Sequence, residues 1–169
     1  MERWGGDLYG DPCRECGYAW SITRADAIAL VAAVPERYAR LLDGQDATAR
    51  HPELGWTAGG YVSHVVDNLR IWAERMAGAA LGRRCDVPGY DEKLLSAARG
   101  YNLVPVSGSL WSLGHAARQW VEAMDLAVTA GVVLQHAGRG HQEPDDIARN
   151  NAHDVYHHAW DIRRTLGGG

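Results

Sequence analysis

The residues with the clearest chemical potential lie in the stretch Asn150 to Arg164, NNAHDVYHHAWDIRR, where three histidines fall within six positions. His153 and His157 stand four apart, a spacing that stacks two side chains on one face of a helix, a turn from each other. Two imidazoles so placed make half of a divalent-metal site, and a catalytic zinc needs a third protein ligand and an open position. His158 follows His157 by about 100 degrees around a helix, so the two do not readily face one ion; packing or support of a ligand is its expected part. A polar helix face that merely carries histidines to the surface is the bland alternative.

The third ligand has to come from elsewhere in the chain. His64 is the best placed: Tyr61, His64, Val65, Asn68, Ile71 and Trp72 share one stripe of a predicted helix, so His64 points with the core. A lone histidine on such a face is ordinarily a satisfied core residue, and a pair elsewhere in want of a partner tips the reading towards ligation. The expected constellation is therefore His64, His153 and His157 around one metal. Three neutral nitrogens suit Zn2+ first, and Ni2+, Fe2+ or Mn2+ as well. Asp67, one turn beyond His64, is a candidate catalytic base or a carboxylate that orients an imidazole, as are Asp154 and Asp161 for the latter part.

Other titratable residues read as less informative. Cys13-Arg14-Glu15-Cys16-Gly17 is a CxxC pair with no second pair to complete four thiolates, and no βαβ setting for redox chemistry. A structural or incidental role weighs against a second metal or thiol site. His51 and His115 read as solvated and structural, and His136 and His141 as exposed. Arg70, Arg83, Arg84 and Arg149 could meet an anionic cofactor or substrate, although single arginines on helices are usually solvated.

Helices must position these groups. One is expected from Ser21 or Thr23 to Leu42, kinked or split by Pro35; another from Trp56-Thr57, with Thr57 as cap, to Leu81. A third is expected from Ser107 or Ser109 to Ala130, and a fourth opens at Pro144, with Asp145 and Asp146 in its first turn, and ends near Leu166. Residues 1–20 read as an irregular arm, 82–105 as a long crossover with a short helical piece over 92–99, and 131–142 as loop. No strand alternation or repeat stands out, so the fold class is all-α, a four-helix bundle in a single domain over 1–169. The aromatics Tyr61, Trp72, Trp111, Trp120 and Trp160 read as core first, and as walls of a pocket for a flat molecule second.

Composition narrows the function classes. Hydrophobic residues at 46% and charged ones at 22% are globular values, and the net charge of -4 offers no footprint for nucleic acid. No apolar run approaches the ~20 residues that span a bilayer, and no leader is evident, so a cytoplasmic protein is expected. Three cysteines cannot all pair within the chain. No membrane partner is expected; a homodimer is left open.

Three segments together resemble the DinB-like superfamily: GWTAGGYVSHVVDNLRIWAERM is similar to its second-helix motif, NAHDVYHHAWDIRR to its closing H-x3-H helix, and CRECGYAW to an N-terminal element of one actinobacterial branch. They cover about a quarter of the chain. The resemblance implies a metal-binding four-helix bundle with the metal on His64, His153 and His157. It also implies thiol-dependent chemistry of the kind carried out by mycothiol-dependent maleylpyruvate isomerase and bacillithiol transferases, with a low-molecular-weight thiol as cofactor and a small electrophile as substrate. A metal-dependent lyase, cyclase or hydrolase, or a non-catalytic metal-binding bundle, are the alternatives.

Overall fold

A computed structural model describes residues 4–82 and 84–167. In chain order it runs α1 (Gly6–Tyr9), α2 (Arg24–Ala32), α3 (Val34–Leu42), α4 (Ala58–Ala80), β1 (Asp86–Val87), α5 (Glu92–Arg99), a 3-10 turn (Tyr101–Leu103), α6 (Val106–Ala130), β2 (Leu134–His136), β3 (Gly140–Gln142) and α7 (Pro144–Thr165). The fold is mostly helical, a four-helix bundle with one small sheet.

Local chemistry sets the boundaries. Thr23 and Thr57 cap α2 and α4 by accepting from the backbone N–H of Asp26 and Gly60. Pro35 divides the first expected helix rather than bending it. It occupies the first turn of α3, where a missing N–H costs nothing, and Ala33 closes α2 and opens α3. Pro144 does the same for α7, reinforced by a reciprocal pair of bonds between Glu143 and Asp146. The expected serine cap of α6 is not used: the helix begins at Val106, directly after Pro105.

α4 lies between α6 and α7, α2 packs on α7, and α3 packs on α6 and α7. Trp120, Leu69, Met76, Leu113, Met124, Ile147 and Ile162 are all fully enclosed at the centre. Tyr38 donates its hydroxyl to the carbonyl of Val155 at 2.8 Å, so even the polar atom of that core ring is satisfied. Trp111, expected among the core aromatics, is 68% exposed.

Residues 131–142 depart from the loop expectation. β2 and β3 form an antiparallel hairpin, and β1 from the crossover joins β2 in parallel, Asp86 opposite Gln135 and Val87 opposite His136. His136 is therefore buried, stacked on Trp72 with ring centres 5.9 Å apart, whereas His141 stays exposed. The arm is pinned through Tyr18, whose hydroxyl donates to the Arg149 carbonyl, and it folds on itself around Cys13, whose N–H donates to the Tyr18 carbonyl. No described helix is long and apolar enough to cross a membrane.

Candidate metal centres on the last helix

α7 presents two rows of donors one residue apart. His153 and His157 form one row and Asp154 and His158 the other, each pair separated by one helical turn and the rows by about 100 degrees. The bundle gives each row its own partner. Cys13 and Cys16 of the arm meet His153 and His157, the four ligand atoms all lying within 4.8 Å of one another. His64 of α4 meets Asp154 and His158 within the same limit.

The three histidines expected to share a metal are thus sorted into two groups. His64 projects from α4 onto the Asp154–His158 row, and the row carrying His153 and His157 is turned towards the arm. Rotation about α7 is the physical reason: a shift of one residue in the sequence selects which neighbour a side chain meets. The i, i+4 rule applied to Asp154 and His158 as well, and a carboxylate ligates as an imidazole does.

In the α4 group, Asp154 Oδ1 stands 3.6 Å from His64 Nε2 and 3.4 Å from His158 Nε2. Asn68 donates to Asp154 Oδ2 at 2.8 Å, which leaves the other oxygen to the imidazoles. The Nδ1–H of His158 donates to Asp161 Oδ2 at 2.9 Å, an arrangement that fixes the tautomer and points Nε2 at the shared centre. Trp56 stacks on His64 with ring centres 4.7 Å apart. Burial alone would push the His158 imidazole down, yet Asp154 and Asp161 together raise it to about 10. Burial likewise works against the Asp154 carboxylate, and His158 and His64 override it and hold Asp154 well below the usual range. Two carboxylates here draw a positive charge into a buried place.

The arm group differs in character. Cys13 is buried and Cys16 half-buried, and both are free thiols. Burial, followed by the proximity of Cys13, pushes the Cys16 thiol up to about 12. Burial and then His157 push His153 down to about 4, so it is a neutral imidazole at physiological pH. The Nε2 of His153 is buried and has no hydrogen-bond partner among the described residues.

Asp67 engages neither group. It is buried, accepts from the Tyr101 hydroxyl at 2.8 Å and lies 2.6 Å from Arg99 Nε, which ties the crossover to α4. Of the arginines singled out for anions, Arg149 is committed to the Ile22 carbonyl and to Asp145. Arg84 is exposed, Arg70 half-buried, and Arg83 lies outside the described residues.

Two cavities flank the α4 group. One of about 640 Å³ has Trp56, Tyr61, Tyr101, Lys93, His158 and Asp161 in its wall. The other, about 210 Å³, is lined by Tyr9, Asn68, Arg75, Tyr90, Arg139 and Asp154. Arg75 and Arg139 were not singled out in the sequence; the Arg75 guanidinium lies 4.9 Å from the Trp72 ring centre, a contact within α4, and that of Arg139 lies 5.8 Å from it, a contact that only the folded hairpin creates.

No family model matches the chain, and no curated protein matches it. Among solved structures the chain is similar to YfiT from Bacillus subtilis, described as a probable metal-dependent hydrolase with an unusual four-helix bundle topology. The two share 19% identity over 86% of this chain and 89% of that one, with a TM-score of 0.69. At that identity the likeness is one of fold.

Proposed function

We propose that this protein is a metal-dependent enzyme whose reaction centre is His64, Asp154 and His158, acting on a small electrophile with a low-molecular-weight thiol. The observation that carries this reading is a three-donor set, two imidazoles and one carboxylate, enclosed between two cavities. Three protein ligands with room for a fourth is the pattern of a catalytic site rather than a structural one. The donor set suits Zn2+ and also Ni2+, Fe2+ or Mn2+. A divalent metal held there lowers the pKa of a bound thiol or water and polarises an electrophilic oxygen.

The chain's own groups do the rest. Asp161 keeps the His158 Nδ1 proton, and Asn68 keeps Asp154 turned towards the imidazoles. Arg75, Arg139 and the asparagine side chains of the smaller cavity suit an anionic, hydroxyl-rich thiol, while Trp56, Tyr61 and Tyr101 of the larger one suit an apolar electrophile. Asp67 is assigned to holding the crossover that closes the larger cavity, with Arg99 and Tyr101 as its partners.

A hydrolytic reading, with water in place of the thiol, is favoured by the description of the fold neighbour. Calorimetric titration of metal-loaded protein with low-molecular-weight thiols, alongside turnover of activated esters with and without thiol, separates the two. Saturable thiol binding that disappears in His64→Ala supports the transferase reading. Ester turnover indifferent to thiol, with no thiol binding, replaces it with hydrolysis.

A further inference from the structure

We infer that Cys13, Cys16, His153 and His157 form a second, closed metal site, a tetrahedral zinc centre that fastens the N-terminal arm across α7. Its four donors come as two pairs, each preorganised by its own backbone. His153 and His157 are stacked by the helix. The thiols are brought to one side by a turn in which Gly17 takes a left-handed conformation at φ 76, its N–H donating to the Cys13 carbonyl at 2.9 Å. The chain then doubles back, and the Cys13 N–H donates to the Tyr18 carbonyl at 2.8 Å.

The spacing fits zinc. Ligand bonds of about 2.0–2.3 Å in a tetrahedron put donor atoms about 3.3–3.8 Å apart. Cys13 Sγ already lies 4.0 Å from His157 Nδ1, and all four donors lie within 4.8 Å of one another. Contraction of at most about 1–1.5 Å closes the site. The His157 ring also offers the expected support: with Nδ1 facing the thiol, its Nε2 lies 3.5 Å from Glu15 and 3.7 Å from Asp161. The orphaned His153 Nε2 is the independent sign of a missing partner, for a buried ring nitrogen without one is costly. Tyr9 and Trp20 pack on that imidazole, each with its ring centre 4.6 Å away, and the nitrogen itself is buried.

Two thiolates with two imidazoles fill a tetrahedron and leave no position for a reactant, which makes this centre structural where the His64 group is open. Its purpose follows from where the arm lies. Tyr9 is in the wall of the smaller cavity together with Asp154, so fastening the arm fixes one side of the space beside the open site.

The test uses cobalt as probe, since thiolate-to-cobalt absorption reports sulfur ligands alone. Full-length protein, reduced and stripped of metal, is titrated with Co2+. Wild type is expected to take up two equivalents, with thiolate absorption that saturates at one. The His64→Ala/His158→Ala variant is expected to keep that absorption and lose one equivalent, so failure of the open site does not mask this one. Cys16→Ser is expected to lose the two-thiolate spectrum and to hold metal at this site at least 100-fold more weakly. Full cobalt loading of wild type without thiolate absorption overturns the inference, and it does so even if every variant misfolds. Trypsin cleavage after Arg14 should quicken at least tenfold on chelation; an unchanged rate refutes the clamp.

Discussion

Two glycines of α4 give opposite predictions for the same substitution. A methyl at Gly78 would meet nothing within 4 Å, so Gly78→Ala should stabilise the protein by about 0.5–1 kcal/mol, the usual gain from replacing glycine inside a helix. At Gly60 the added Cβ would lie 2.6 Å from Asn102 Oδ1, 3.0 Å from Trp56 Cβ and 3.1 Å from Thr57 Oγ1. Asn102 cannot simply swing away, because that same oxygen accepts the Thr57 N–H at 2.8 Å, and Thr57 is the cap of the helix. Losing one such bond costs about 0.5–1.5 kcal/mol and overpacking a tight site about 1–3 kcal/mol. Set against a helix-propensity gain of about 1 kcal/mol, the net for Gly60→Ala is a loss of about 0.5–3.5 kcal/mol. In a chain of this length that lowers the midpoint by roughly 1–14 °C, while Gly78→Ala raises it by about 1–4 °C. Trp56 stacks on His64 and shares the wall of the larger cavity with Asn102, so Gly60→Ala should also weaken substrate binding. Thermal and urea unfolding of the two variants, side by side, decides the matter. Equal or greater stability in Gly60→Ala than in Gly78→Ala would refute the close-packing argument.

Other outcomes can be checked with the same protein. Asp161→Asn should weaken metal binding at the His64 group by about 10–100-fold, read by competition with a chelator, because the carboxylate that orients His158 is gone; undiminished affinity would remove Asp161 from that role. Asp67→Asn should cost about 1–2 kcal/mol in unfolding experiments through its bonds to Tyr101 and Arg99 and leave metal content unchanged. Native stability with no turnover would instead make Asp67 a base. Arg75→Ala should lower affinity for an anionic thiol by about 10-fold or more in calorimetry, the size expected for one charged hydrogen bond; binding unaltered by the change would place the thiol elsewhere.

Helices were legible where the chain carries its own punctuation. Pro35, Thr57 and Pro144 each act within one turn, so their effect needs no knowledge of the rest of the chain. The hairpin at 134–142 escaped because strands of three residues are too short to show alternation, and glycines 138 and 140 resemble a loop. For the site, histidine spacing identified α7 as the donor-bearing helix and the apolar stripe of α4 turned His64 inward. Which row of α7 faces α4 depends on the rotation of one packed helix against another, and no local pattern encodes that angle. Cys13 and Cys16 lie in a segment without periodicity, so nothing in the sequence tied them to residues 140 positions away. The Asp154–His158 spacing was the available signal for the α4 group.

Asp161 stands where both sets of donors feel it, bonded to His158 and 3.7 Å from the Nε2 of His157. One anion serving two neighbouring rings has a single charge to divide. With a cation on each row, strengthening its hold on one imidazole would loosen its hold on the other, and linkage requires the penalty to be equal in both directions. Filling either centre would then weaken the other by the same factor, whichever ion arrives first.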